Sequence, residues 1–181
     1  MSGTCTAPVL TTARLRLRPL VPEDAPRIAD LAADYEIARM TLRMPHPYAP
    51  EDAEAFVRRC ADEDPRREIT LLIEEPGEGA VGVLGFFEDD EQDPKLGTEL
   101  GYWIGRPFWG RGYASEAVAE ALRWSDQSWR RRLVVAGHFA DNPTSARVLV
   151  KTGFLYTGVT ASRFSRARGE AAPIRMMIRL A

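Results

Sequence analysis

The sequence predicts an α/β (α+β) sandwich in which a mixed central sheet of about seven strands is flanked by four helices. Three observations carry that expectation. Short apolar or alternating runs bounded by turn residues recur at 11–20, 68–74, 80–87, 99–104, 132–138, 154–160 and 174–180. Helical patterns with acidic or proline starts interleave with them at 23–33, 50–60, 113–125 and 142–152. No internal repeat and no linker divides the series, so the chain is expected to form one domain over residues 1–181, with 1–9 as a loose N-terminal extension.

In order, Leu15 and Leu17 alternate with Arg14, Arg16 and Arg18, the period of a strand with one wet face. Pro19 and Pro22 end it. Glu23 and Asp24 put carboxylates at the start of a helix whose Ile28, Leu31 and Ala32 share a face. Pro50 opens the second helix, with Glu51, Asp52 and Glu54 in its first turn and Phe56 and Val57 directed inward. Ile69, Leu71, Leu72 and Ile73 form a strand, Glu75-Pro76-Gly77-Glu78-Gly79 a turn, and 80–87 the returning strand of a hairpin. The acidic run from Asp89 to Lys95 reads as a solvated excursion or as a lure for a cationic ligand. Leu133, Val134 and Val135 make a buried strand. In the last helix Asp141 or Asn142 caps, Pro143 suits the first turn and Gly153 stops the run. Two strands joined by a polar, arginine-bearing loop complete the chain.

Composition removes several classes of function. The 181 residues suffice for a full core, and a formal net charge of −2 offers no basic field for nucleic acid. Arginine clusters at 14–18, 58–59, 66–67 and 130–132 have acidic neighbours and read as solvated surface. Steep salt sensitivity would mark the competing nucleic-acid reading. Cys5 and Cys60 are the only cysteines, so no disulfide framework is expected. His46 and His138 are far apart, and no Cys/His spacing suits a metal. Without a leader pattern or an apolar run of about 18 residues, the expected setting is the cytoplasm, with no membrane partner.

The stretch from Glu99 to Ala117 organises the rest: an apolar strand, a glycine-punctuated loop and the opening of a helix. Gly110, Gly112 and Ala114 let the backbone turn and approach a ligand, and the helix start presents amide N–H groups and a positive dipole end. That combination binds phosphate, although the same glycines would also serve a plain turn. A P-loop is excluded, since Tyr113-Ala114 follows Gly112 in place of Lys-Ser/Thr, and a Rossmann fingerprint fails because Ser115 holds its last position.

Trp109-Gly-Arg-Gly-Tyr-Ala-Ser-Glu-Ala resembles the acetyl-CoA pyrophosphate loop of the GNAT N-acetyltransferases, and with Gly-Tyr-Trp-Ile before it is similar to the Rim-type branch that acetylates ribosomal-protein amino termini. Trp109 stands where that superfamily usually has Gln or Arg. The opening Thr-Ala-Arg-Leu-Arg-Leu-Arg-Pro-Leu and the Asn142…Gly153-Phe154 pattern extend the likeness over nearly the whole chain. The resemblance implies a mostly antiparallel sheet, acetyl-CoA as cosubstrate and no metal. It implies that the amides of Arg111, Gly112, Tyr113, Ala114 and Ser115 hold the pyrophosphate. Trp103, Ile104, Gly105 and Arg106 would serve the pantetheine arm and polarise the thioester, and Asn142 would bond the pantetheine.

Acetyl transfer needs a neutral amine, a polarised carbonyl and a proton for the departing thiolate. Many superfamily members supply that proton from a tyrosine seven residues after the Asn; here the position is Leu149. Ser145, on the same helical face as Asn142, stands where Rim-type enzymes carry a serine proposed for the role. It reads as proton donor or orienter, or as a helix-start serine bonding its own backbone. A carboxylate in the position of Glu99 serves some superfamily members as base, directly or through water, so the resemblance implies that role for Glu99; it reads equally as an acceptor for loop hydrogen bonds. Glu68 and Glu88 remain open, and the amine can also lose its proton to solvent. Cys5 and Cys60 fall outside both motifs, which favours direct attack in a ternary complex over an acyl-enzyme. The acceptor is a protein N-terminus or a small amine, and the Pro- and aromatic-rich run Arg43–Ala49 either lines its site or merely packs. The protein would be a monomer or homodimer. The alternative is a non-catalytic acyl-CoA-binding or regulatory domain that keeps the phosphate loop.

Overall fold

The structure, a computed structural model, describes residues 7–88 and 97–181, so most of the expected N-terminal extension and the acidic run at 89–95 lie outside the described residues. Among the described residues eight strands form one sheet: β1 (Leu10–Thr11), β2 (Arg16–Arg18), β3 (Ile69–Glu75), β4 (Gly79–Phe87), β5 (Thr98–Ile104), β6 (Leu133–Phe139), β7 (Leu155–Ser165) and β8 (Glu170–Leu180). Their spatial order is β1-β2-β3-β4-β5-β6-β8-β7, antiparallel at every junction except β5–β6. The helices are α1 (Ala25–Ala32), α2 (Tyr35–Ala38), α3 (Pro50–Ala61), α4 (Tyr113–Trp124) and α5 (Pro143–Lys151).

The eighth strand arises because the expected first strand is broken. Thr12 Oγ1 accepts the Leu15 amide at 2.8 Å while the Thr12 amide bonds the Leu15 carbonyl, also at 2.8 Å. A threonine hydroxyl competing for backbone groups turns the chain back on itself, leaving Leu15 and Leu17 both buried. The tail differs in the other direction: the expected arginine-bearing loop shrinks to 166–169, and β7 and β8 extend into a long hairpin. Most of β7 is exposed on both faces, so it carries no apolar alternation; backbone pairing with β8 holds it.

Strand alternation sorts the core into two layers. Leu71, Ile73, Leu84, Phe86 and Leu100 pack under α4 and α5 with Ala117, Leu122 and Leu149. On the opposite face Leu72 and Val83 meet Ile28, Ala53 and Val57 of α1 and α3. The junction between these halves is β5–β6. Its register runs for two pairs, Thr98↔Val134 and Glu99↔Val135, while β6 stays bonded to β8 as far as Phe139↔Ile174. Beyond Glu99 the two strands part, and their facing edges form an opening in the sheet. Backbone polar groups there require a partner other than the adjacent strand.

Candidate active site

The opening is bounded by the end of β5 and the start of α4 on one side and by the start of α5 on the other. At the α4 start, Gly110 and Gly112 adopt φ of +76° and +80°, which a residue with a Cβ takes up only under strain. Gly112 is the N-cap, and among the described residues no side chain caps the helix. The Glu116 carboxylate, well placed in the first turn to do so, is engaged elsewhere: Oε1 accepts Thr12 Oγ1 at 2.6 Å and the Arg14 amide at 3.0 Å, and Oε2 meets the Arg14 guanidinium at 2.6 and 2.8 Å. Burial works to raise this carboxyl, but the bonds from Thr12 and Arg14 outweigh it and hold it below the usual range. Arg14 also donates to the Arg111 carbonyl at 3.0 Å. The turn therefore keeps its amides available and gains a guanidinium beside them, which is what an anion requires.

Trp109 fixes the other end of the loop. Its Nε1 donates to the Ile104 carbonyl at 2.7 Å, while Gly105 N–H bonds the Val81 carbonyl at 2.8 Å and Arg106 pairs with Asp34 at 3.3 Å. Several groups of the Trp103–Arg106 segment are thus committed to scaffold contacts. Alternation counted from the Gly105–Val81 bond turns the backbone groups of Trp103 toward β4 and those of Tyr102 toward the opening.

Across the opening Asn142 caps α5: its Oδ1 accepts the Ser145 amide at 3.0 Å, with Pro143 in the first turn. Ser145 Oγ lies 2.9 Å from the Tyr102 hydroxyl, so a residue of β5 reaches across to the helix that follows β6. Leu149 is completely buried in the core. Tyr102 escaped the sequence reading because a tyrosine in a strand reads as packing; its only signal is its place in the strand leading to the loop.

Glu99 is half-buried at the last β5–β6 pair, opposite Phe87, and alternation puts it on the face away from Tyr102. The missing side chain at Gly101 makes room on that face, since a Cβ there would sit 3.2 Å from the Phe87 ring. Arg43 lies 4.7 Å above that ring, which brings the start of the 43–49 run next to Glu99. Glu88 is paired with Arg67 and Arg131. Nearby, Asp141 receives Arg168 at 2.9 and 3.0 Å and Arg39 at 2.8 Å, and Ser165 bonds the Thr41 carbonyl at 2.9 Å. These contacts fasten the segment after α2 to the β7–β8 turn and to the residue before Asn142.

Among the described residues no group of three His, Cys, Asp or Glu is arranged to hold a metal, and no helix is long and apolar enough to cross a membrane.

The sheet parts between two strands, with a glycine-led helix start on one lip and the paired hydroxyls of Tyr102 and Ser145 on the other. The Acetyltransferase (GNAT) domain family matches residues 14–155, and the chain belongs to that family; it is an N-acetyltransferase. Among curated relatives, the uncharacterized N-acetyltransferase p20 of Bacillus licheniformis is 25% identical over 169 residues, covering 92% of this chain and 93% of the relative. The ribosomal protein uS5-alanine N-acetyltransferase of Escherichia coli (strain K12) is 26% identical over 159 residues, covering 80% and 77%. The fold matches that of RimL, a ribosomal-protein acetyltransferase solved with coenzyme A, at a TM-score of 0.81 and 19% identity over 96% of this chain and 98% of that one.

Proposed function

We propose that this acetyltransferase moves an acetyl group from acetyl-CoA to a primary amine by direct attack in a ternary complex. The observation that carries the reading is the parting of β5 from β6 after two pairs, beside the uncapped start of α4. In this reading the amides of Arg111, Gly112, Tyr113, Ala114 and Ser115 grip the diphosphate, helped by the helix dipole and Arg14. The pantetheine lies along the unpaired edge of β5, with Trp103, Ile104, Gly105 and Arg106 shaping its path and the Asn142 amide donating to it. Asn142 keeps its Nδ2 for that purpose, because its Oδ1 serves the cap.

Strand alternation gives the two proton tasks separate faces. Ser145, on the Tyr102 side, donates to the departing thiolate; Glu99, on the Phe87 side, takes the amine proton directly or through water. Direct attack is favoured over an acyl-enzyme because burial pushes the Cys60 thiol up to about 12, leaving little thiolate at neutral pH. The RimL and uS5-alanine enzymes make a protein N-terminus one fitting acceptor, and a small amine such as a polyamine is the other.

Calorimetry with acetyl-CoA, followed by thiol release over a panel of alanine- and serine-ended peptides and polyamines, tests the reading. One-to-one binding with release by at least one amine is expected. Binding without release by any acceptor would favour an acyl-CoA-binding regulatory role.

A further inference from the structure

Resting on the acetyl-transfer reading above, we infer that Tyr102 is a positioning residue for the reaction, its phenol holding the Ser145 hydroxyl so that the serine proton faces the thioester sulfur. Ser145 is gripped twice: its amide by Asn142 Oδ1 at 3.0 Å and its Oγ by the Tyr102 hydroxyl at 2.9 Å. The same phenol lies 3.3 Å from the Ser145 carbonyl, an atom that can only accept. A phenol is the more acidic of the two hydroxyls and the better donor, so its hydrogen points at the oxygens of Ser145. The serine hydrogen is then left to point elsewhere.

Burial pushes the Tyr102 phenol up to about 12, which keeps it protonated, and a donor, through the neutral range. Its ring packs against the core and its backbone lies opposite Leu84 within the β4–β5 ladder, so holding it in place costs little further entropy. Leu149, one turn beyond Ser145, is sealed in the core and offers no hydroxyl. A phenol reaches the acid side of the site from the strand instead of from the helix.

In the step itself the amine nitrogen bonds to the acetyl carbon and the C–S bond breaks, its electron pair passing to sulfur. Sulfur takes the Ser145 proton. The serine oxygen, with charge developing on it, is stabilised by the Tyr102 O–H and regains a proton through solvent, the one the amine has lost. Amide and free thiol are the products, with atoms and charge balanced.

The test is a cycle of Tyr102→Phe, Ser145→Ala and the double variant, using acetyl-CoA with alanine- and serine-ended peptides and spermidine as probes. Tyr102→Phe keeps the ring, and an unchanged acetyl-CoA KM reports an intact fold. It should lower kcat about 10-fold, the loss expected for one hydrogen bond to a charged oxygen. In the Ser145→Ala background it should cost nothing more, because the phenol acts through that serine. A second readout needs no acceptor: the thiol of bound coenzyme A, titrated by thiolate absorbance, should ionise about one pH unit higher in Tyr102→Phe than in the wild type. A wild-type kcat and thiol titration in Tyr102→Phe, or losses that multiply in the double variant, overturn the inference while leaving acetyl transfer standing. Failure of coenzyme A to bind the wild-type protein overturns both.

Discussion

Arg14 and Glu116, 102 residues apart, are joined by a forked ion pair at 2.6 and 2.8 Å, and through it the N-terminal turn is bolted to the first turn of α4. The consequence concerns the ligand. A free Glu116 would cap the helix and repel an anion, whereas the paired one does neither. Glu116→Ala should raise the acetyl-CoA Kd about 5-fold, by loosening the turn and releasing Arg14 from its hold on the Arg111 carbonyl, as calorimetry can read. Arg14→Ala should cost more, because it also frees Glu116 to cap the helix and repel the anion, and adding Glu116→Ala should recover part of that loss.

Gly112 tests the turn itself. Its φ of +80° disfavours any side chain, while an added Cβ would meet only the Arg14 guanidinium, at 3.6 Å. Gly112→Ala should therefore act through backbone strain of about 1–2 kcal/mol, weakening acetyl-CoA about 10-fold with kcat at saturation little changed. Steady-state kinetics separates the two effects.

Asp24 is the candidate for acid sensitivity of the fold. It is buried, bonds the Arg18 guanidinium at 2.8 Å through both oxygens and accepts the Val21 amide at 2.8 Å. Burial raises this carboxyl, but Arg18 and Val21 together hold it below the usual range. Because the folded value is depressed, the stabilisation is present above the unfolded value of about 3.9 and is lost as pH falls through the folded one. Asp24→Asn should cost about 3 kcal/mol near neutrality, leaving the half-buried Arg18 without its main partner, and should flatten the acid limb of the stability curve. Guanidinium melts from neutral to acid pH check both.

Asp141 ties Arg39 after α2 and Arg168 of the β7–β8 turn to the start of α5, beside the proposed acceptor site. Arg168 first, then Arg39, hold its carboxyl below the usual range against a smaller opposing effect of burial. Asp141→Asn should raise the KM for the amine several-fold, by about 3 to 10, while the acetyl-CoA KM and the rate profile between about pH 6 and 8 stay unchanged, since the carboxylate is ionised throughout.

Local chemistry was legible in the sequence and long-range pairing was not. The glycine loop, a cap at Asp141 or Asn142, the β3–β4 hairpin and the helices at 50–60 and 113–125 rest on turn and cap residues that act on near neighbours. The break at Thr12 depended on a hydroxyl bond that strand alternation masks, and β7 carries almost no buried face to reveal it. α2 is a single turn set by Asp34, too short for a periodic pattern. Tyr102 meets Ser145 across 43 residues, through the parting of two strands that no local pattern encodes.

Soaking coenzyme A into crystals of the protein tests the central claim most directly. The diphosphate should lie on the amides of residues 111–115, with the thiol between β5 and β6 near Ser145. A cofactor bound elsewhere, or a glycine turn left empty at saturating coenzyme A, would contradict it.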